Sequence, residues 1–146
     1  MYFVMFNKMR MRKLTLLATI ILMLSACKKA VQNAQEDLVI LAMTDGKWKV
    51  TSFTMNSTDI TPDFINYRFK YYSNKTVDAI NSGTVEKTGT WDGNASTMTT
   101  SASFTSAIYP LQLINGNWNI TRNGWTFVEA TQTSGTDVKT MKLVKE

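Results

Sequence analysis

Gly46-Lys47-Trp48-Lys49-Val50-Thr51-Ser52-Phe53-Thr54-Met55 is the stretch where the character of the chain changes. Before it lies a helical pattern, with Val31, Ala34, Leu38 and Leu41 at spacings of three and four. Glu36 and Asp37 come early in that pattern, where negative charge suits the helix dipole. Gly46 stands just past its end, a usual place for a C-terminal stop. This segment reads as a helix that plugs one end of the domain; the other reading is an amphipathic helix for a partner. From Lys47 onward the composition favours strands. Residues 27–146 hold nineteen Thr and only two Pro, with aromatic residues scattered throughout.

Turn signals then recur along the chain, most of them 8–11 residues apart, at Asn56-Ser57, Ser73-Asn74, Asn81-Ser82-Gly83, Asp92-Gly93-Asn94, Asn115-Gly116-Asn117, Asn123-Gly124 and Ser134-Gly135. The runs between them have strand length: 47–55, 67–71, 76–80, 84–91, 95–101, 113–121, 125–131 and 137–144. Tyr67, Phe69 and Tyr71 alternate with Arg68 and Lys70, the mark of a half-buried strand. Residues 103–111, interrupted by Pro110, read as a long loop or the mouth of a pocket. About eight short strands with tight connections make an all-β domain, either a closed up-and-down barrel or a β-sandwich.

Gly46-Lys47-Trp48, opening the first strand directly after a short helix, resembles the Gly-x-Trp signature of lipocalins and the wider calycin group. The closer resemblance is to small lipocalin-like lipoproteins of Bacteroidota. They pair a lipobox with a Gly-Lys-Trp opening, a Phe-x-Phe-like second strand (here Tyr67-Arg68-Phe69) and a later Gly-x-Trp (here Gly89-Thr90-Trp91). The resemblance covers Asp45 to about Leu143. It implies an antiparallel eight-stranded up-and-down barrel with a short N-terminal helix, in which Gly46, Trp48 and Trp91 are structural. It also implies that Trp48 lies across the closed end and packs on a basic residue of the last strand, for which Lys142 and Lys139 are the candidates.

The N-terminus carries a second pattern. Residues 8–13 are Lys-Met-Arg-Met-Arg-Lys, residues 14–24 are uncharged and mostly Leu, Ile and Met, and Ser25-Ala26-Cys27 follow. This is the basic, apolar, small-residue order of an export signal. Its apolar part is shorter than the roughly 20 residues that span a bilayer. Leu24-Ser25-Ala26-Cys27 resembles the lipobox of bacterial lipoproteins, which implies cleavage before Cys27 and acylation of that residue, palmitate among the chains. The expected organisation is a signal peptide at 1–26, a lipidated tether and short helix at 27–45, and a lipocalin-like domain at 46–146. By the same analogy Lys28 points to outer-membrane sorting. Lys28-Lys29, in place of an acidic cluster, points to the periplasmic face of the cell envelope rather than the cell surface.

Composition narrows the function. Residues 1–26 carry four basic residues and no acid; residues 27–146 carry 12 basic and 11 acidic, a net of +1. Too little surplus charge remains to build a nucleic-acid face. With no His, Ser-His-Asp and Cys-His catalysis and His-based zinc sites are excluded. With one Cys there is no internal disulfide and no thiolate cluster. Asp59 and Asp63, or Glu86 and Asp92, could supply a carboxylate pair, but they sit at loops or alternate with Thr and read as solvated face. The expectation is therefore no enzyme, no cofactor and no metal. Trp48, Phe69 and Trp91 read as core. Tyr71, Tyr109, Trp118 and Trp125 are the candidates to line a ligand pocket, because aromatics with a polar edge suit partly apolar molecules. The expected partners are a membrane, through the N-terminal lipid, and a small apolar or amphiphilic ligand. The alternative is an accessory lipoprotein acting through protein contacts, with its protein partner unknown.

Overall fold

A computed structural model describes residue 31 and residues 34–146. The segment read as an export signal, Cys27 and most of the expected tether lie outside the described residues. Residues 36–146 make one unit and those before them another. The elements are α1 (residues 34–44), then β1 (Trp48–Met55), β2 (Thr58–Asp59), β3 (Tyr67–Tyr71), β4 (Thr76–Asn81), β5 (Thr84–Asn94), β6 (Thr99–Ser103), β7 (Gly116–Asn123), β8 (Phe127–Ser134) and β9 (Asp137–Lys145). Two 3₁₀ turns, Thr61–Phe64 and Leu111–Ile114, sit in the longer connections.

Alternation of side chains shapes these strands. In β3 Tyr67, Phe69 and Tyr71 are buried while Arg68 and Lys70 are half-buried. In β9 the inward set is Lys139, Met141 and Leu143. The antiparallel register stacks inward residues in layers. Leu143 lies opposite Val50 on one side and Val128 on the other, and Met141 lies opposite Phe53 and Ala130. In β1 the inward residues are Trp48, Val50 and then Phe53, out of step by one. An irregularity between Val50 and Ser52 absorbs the extra residue, as a β-bulge does.

The strands from β3 to β9 pair each with the next, and β9 returns to pair with β1, antiparallel throughout. β1 also meets β3, through the single register pair Trp48↔Phe69. The result is a closed eight-stranded up-and-down barrel of the lipocalin-like kind, with α1 before it and the two-residue β2 laid on the far end of β1. One continuous closed sheet excludes the β-sandwich alternative, and closure removes the exposed edges a sandwich would keep.

Two turn signals prove to be something else. Asp92-Gly93-Asn94 lies inside β5, and the β5–β6 reversal comes later, over residues 95–98. Gly93 is small because α1 presses on it: a Cβ there would stand 3.2 Å from Cγ1 of Val39. Asn115-Gly116-Asn117 marks the start of β7 rather than a hairpin, because the 3₁₀ turn Leu111–Ile114 has already redirected the chain. The strand starts expected at residues 95, 113 and 125 accordingly fall at Thr99, Gly116 and Phe127.

Candidate functional site

At one end of the barrel, Gly46 and Trp48 tie α1 to the strands. Gly46 has φ of 82°, and a Cβ on it would lie 2.8 Å from the backbone oxygen of Glu146, so both conformation and space require glycine. Trp48 is fully buried, and its Nε1–H donates to the carbonyl of Met43 at 2.9 Å. Lys70 Nζ donates to the carbonyls of Thr44 (2.7 Å) and Gly46 (3.1 Å). The last two carbonyls of α1, those of Met43 and Thr44, are thereby satisfied. The cation on the Trp48 ring is Lys145, 5.3 Å from its centroid, rather than Lys142 or Lys139. Lys145 is the residue paired with Trp48 across β1 and β9. Lys142 lies instead over Phe127, at 5.6 Å.

The opposite end repeats the arrangement with other residues. Trp118 Nε1–H donates to the carbonyl of Ile114 at 2.8 Å, at the end of the second 3₁₀ turn. Lys139 stands 5.4 Å from the Trp118 ring and donates to the carbonyl of Leu113 at 3.0 Å. Gln132 Nε2–H donates to the carbonyls of Asn115 and Asn117. Burial holds the Lys139 ammonium below the ordinary lysine value, partly offset by the carboxylate of Asp137. Beside this closure the interior is filled by a run of aromatic rings. Phe53 stacks on Phe64 with centroids 4.9 Å apart and meets Trp118 edge-on at 5.8 Å. Phe64, Tyr67, Phe69 and Phe104 continue the chain of rings.

Between the two closures, on the α1 side, the interior is hollow. A cavity of about 110 Å³ is walled by Trp48, Tyr71, Trp91 and Trp118, with Met141 and Leu143 from β9. Its lining is mostly apolar. It reaches the surface between three segments: α1 through Val39, Ala42 and Met43, the β5–β6 turn through Ala95 and Met98, and the β7–β8 turn through Gly124. Tyr71 and Trp91 meet edge-on at 5.3 Å, and Trp91 Nε1–H donates to the carbonyl of Tyr72. Burial alone pushes the Tyr71 hydroxyl far above the ordinary tyrosine value, with no hydrogen bond among the causes. A neutral hydroxyl in an apolar wall suits a ligand carrying one polar group.

Of the four aromatics read from sequence as pocket residues, the structure brings two together. Tyr71 and Trp118 line the cavity. Tyr109 is exposed in the β6–β7 connection, where its hydroxyl donates to the carboxylate of Asp63. Trp125 is exposed beside the cavity mouth, next to Gly124 but outside the lining. Trp48 and Trp91 are core and wall at once. Met43 and Met98 were not legible as pocket residues, because an isolated Met in a helix or a turn carries no periodic signal.

The carboxylates each have their own partner. Asp59 accepts from the hydroxyl and the backbone N–H of Thr61, which hold it below the usual carboxylate range. Glu86 accepts from Tyr67 (2.7 Å) and Asn81 (2.8 Å). Burial and the Glu86 contact push Tyr67 up to about 12. Asp92 pairs with Lys75 at 2.8 Å, and that bond lowers it.

Fold and cavity together define a lipocalin-like barrel, packed with aromatic rings toward one end and hollow toward the other, where the cavity opens beside α1. No family model matches the chain, and no curated protein matches it. Among solved structures it is similar to a DUF4847 family protein from Bacteroides vulgatus, with a TM-score of 0.54 and 10% identity over 74% of this chain and 97% of that one. Japanin from Rhipicephalus appendiculatus, solved bound to cholesterol, superposes with a TM-score of 0.48 and 7% identity over 71% of this chain and 76% of that one.

Proposed function

We propose that the protein is a lipid-anchored envelope lipoprotein whose barrel holds a small apolar or amphiphilic molecule. It is not an enzyme, and it sits on the periplasmic face of the outer membrane. The observation that carries the binding reading is the mostly apolar cavity bounded by three tryptophans and Tyr71. At about 110 Å³ it is smaller than the roughly 300 Å³ at which drug-sized sites begin. It is near the size of an engineered apolar cavity of about 150 Å³ that holds benzene. A ring or the end of an acyl chain fits the cavity as it stands. A longer molecule enters by moving α1 and the flexible Met43 and Met98 at the mouth. The polar group of an amphiphile meets the Tyr71 hydroxyl. The anchoring reading is supported by the lipobox-like Leu24-Ser25-Ala26-Cys27 after a basic, apolar leader.

Native mass spectrometry of the full chain, extracted from its own envelope in mild detergent, tests both parts. The expected result is an N-terminus starting at Cys27 with acyl chains attached, and a noncovalent lipid-like mass bound one to one. An acylated protein with no bound mass, and no uptake of added fatty acid or sterol, sinks the container. The same experiment on Trp118→Phe and Tyr71→Phe separates wall from polar contact: Tyr71→Phe weakens amphiphiles and spares plain hydrocarbons.

A second reading, an accessory lipoprotein that works through its surface, draws on the ring-filled end. Ile65 and Ile108 are 70% and 72% exposed, and the Tyr109–Asp63 hydrogen bond joins their two segments. A stable protein partner lost on Ile65→Asp and Ile108→Asp favours it.

A further inference from the structure

Three separate segments border the cavity mouth, and each presents a large apolar side chain to the outside. On α1, Val39, Ala42 and Met43 face the cavity, whereas Leu38 and Leu41 are 54% and 58% exposed. On the β7–β8 turn, Gly124 lines the cavity and the next residue, Trp125, is 56% exposed. On the β5–β6 turn, Met98 lines the cavity and is itself 40% exposed. These apolar groups form a rim around the opening, whereas the ordinary rule places polar residues at helix faces and hairpin tips that meet water.

We propose that this rim is a membrane-seating surface: Leu38, Leu41, Met98 and Trp125 enter the boundary between headgroups and acyl chains, so that the cavity opens toward lipid. The proposal rests on the reading of Cys27 as acylated. Seven residues lead from Cys27 to the start of α1 at Ala34, a span of at most about 25 Å. An anchor at Cys27 therefore keeps the rim within reach of one bilayer surface at high effective concentration. The rim has the chemistry that surface selects. Tryptophan favours the membrane–water interface, and leucines on an outward helical stripe favour the acyl boundary. Lys28 and Lys29 in the tether, and the exposed Lys47 after α1, match anionic headgroups. A ligand with an acyl tail then passes between bilayer and cavity without crossing water.

The test uses the full chain, produced in a bacterium that acylates lipoproteins. The protein is reconstituted into phosphatidylethanolamine–phosphatidylglycerol vesicles whose acyl chains carry bromine just below the headgroup. Bromine quenches tryptophan emission at short range. Trp48, Trp91 and Trp118 are buried, so the quenched signal is expected to come from Trp125. It should fall most in Trp125→Phe and fall also in Leu38→Gln/Leu41→Gln, with circular dichroism unchanged. Intact mass separates the failures. An acylated protein whose emission is untouched by bromine overturns the seating surface and leaves the anchor standing. An unacylated N-terminus overturns the anchor and the seating surface together. Shielding of Trp125 by a second copy, seen as concentration-dependent dimer without bromine quenching, or by a co-purifying protein, also overturns the seating surface.

Discussion

The two ends of the barrel are closed by the same device and yet end in different interiors. Each has a helical segment with a carbonyl in its last turn that accepts a tryptophan Nε1–H, Met43 for Trp48 and Ile114 for Trp118. Each has a lysine of β9 over that ring, Lys145 at 5.3 Å and Lys139 at 5.4 Å. The six-residue offset along β9 puts both on one face of the strand, one at either end. The difference lies in what fills the space behind. Behind Trp118, phenylalanines from β1, β3 and the two loop segments interlock. Behind Trp48, the wall residues facing the space include Ala102 and Gly93, too small to fill it. Closure is thus a property of the ends, and capacity is set by residue size on β5 and β6.

The comparison is broken most directly at Phe53. Phe53→Ala removes a ring held between Phe64 and Trp118, and the expected loss is about 3–5 kcal/mol, read from urea unfolding. Met43→Ala, beside existing empty space, should cost well under half of that. Equal costs would mean the two halves are equally packed. Next comes Gly46→Ala, for which the positive φ and the 2.8 Å approach to Glu146 predict a loss of about 1–3 kcal/mol. An unchanged melting temperature would remove Gly46 from the account of the α1 end. Smaller still is Lys145→Met, which gives up a ring contact and a partly exposed pair with Asp45, together about 0.5–1 kcal/mol.

The finest effect is that of Lys139 as pH rises. Lys139 has its ammonium value lowered by burial. From that lowered value up to 10.5 the unfolded chain holds a proton that the folded chain has released. The unfolded state then binds more protons, so stability rises with pH through this window. Tyr67 and Tyr71 act the other way above 10.0, because their raised values keep the folded hydroxyls protonated while the unfolded ones ionise. The informative readout is therefore wild type minus Lys139→Met, measured from pH 8 upward. Wild type should gain on the variant as pH climbs. A flat difference would show that Lys139 is not held in a desolvated state.

Much of this architecture was legible because period-two burial is local. Tyr67, Phe69 and Tyr71 announce β3, and Asp137 to Val144 announces β9 nearly to its ends. Gly46-Lys47-Trp48 pointed to a closed barrel, and the barrel is closed. Two of the misreadings share one cause, which is contact with a distant part of the chain. Gly93 looked like a turn residue because nothing nearby shows that Val39 will press on it. Lys145 was passed over in favour of Lys142 and Lys139 because the partner of Trp48 depends on a register that the β1 irregularity shifts. In α1, residues 38–43 are apolar without a break. Their spacing could not tell the packed face, around Ile40 and Met43, from the outward one at Leu38 and Leu41. Of the four pocket aromatics, Tyr71 and Trp118 project inward from strands. Tyr109 and Trp125 sit in connections, where no alternation fixes a direction.

The pairing of β1 with β9 sets an order in time. β1 is among the first parts of the domain to be translated and β9 the last. The β1–β3 edge offers only Trp48↔Phe69 as a substitute. An emerging chain can build the meander hairpin by hairpin, but it cannot become a cylinder until β9 arrives. Closure is accordingly deferred until β9 is made, with the slow kinetics of a long-range pairing. A chain of this topology stays an open, threadable meander until its last strand is made.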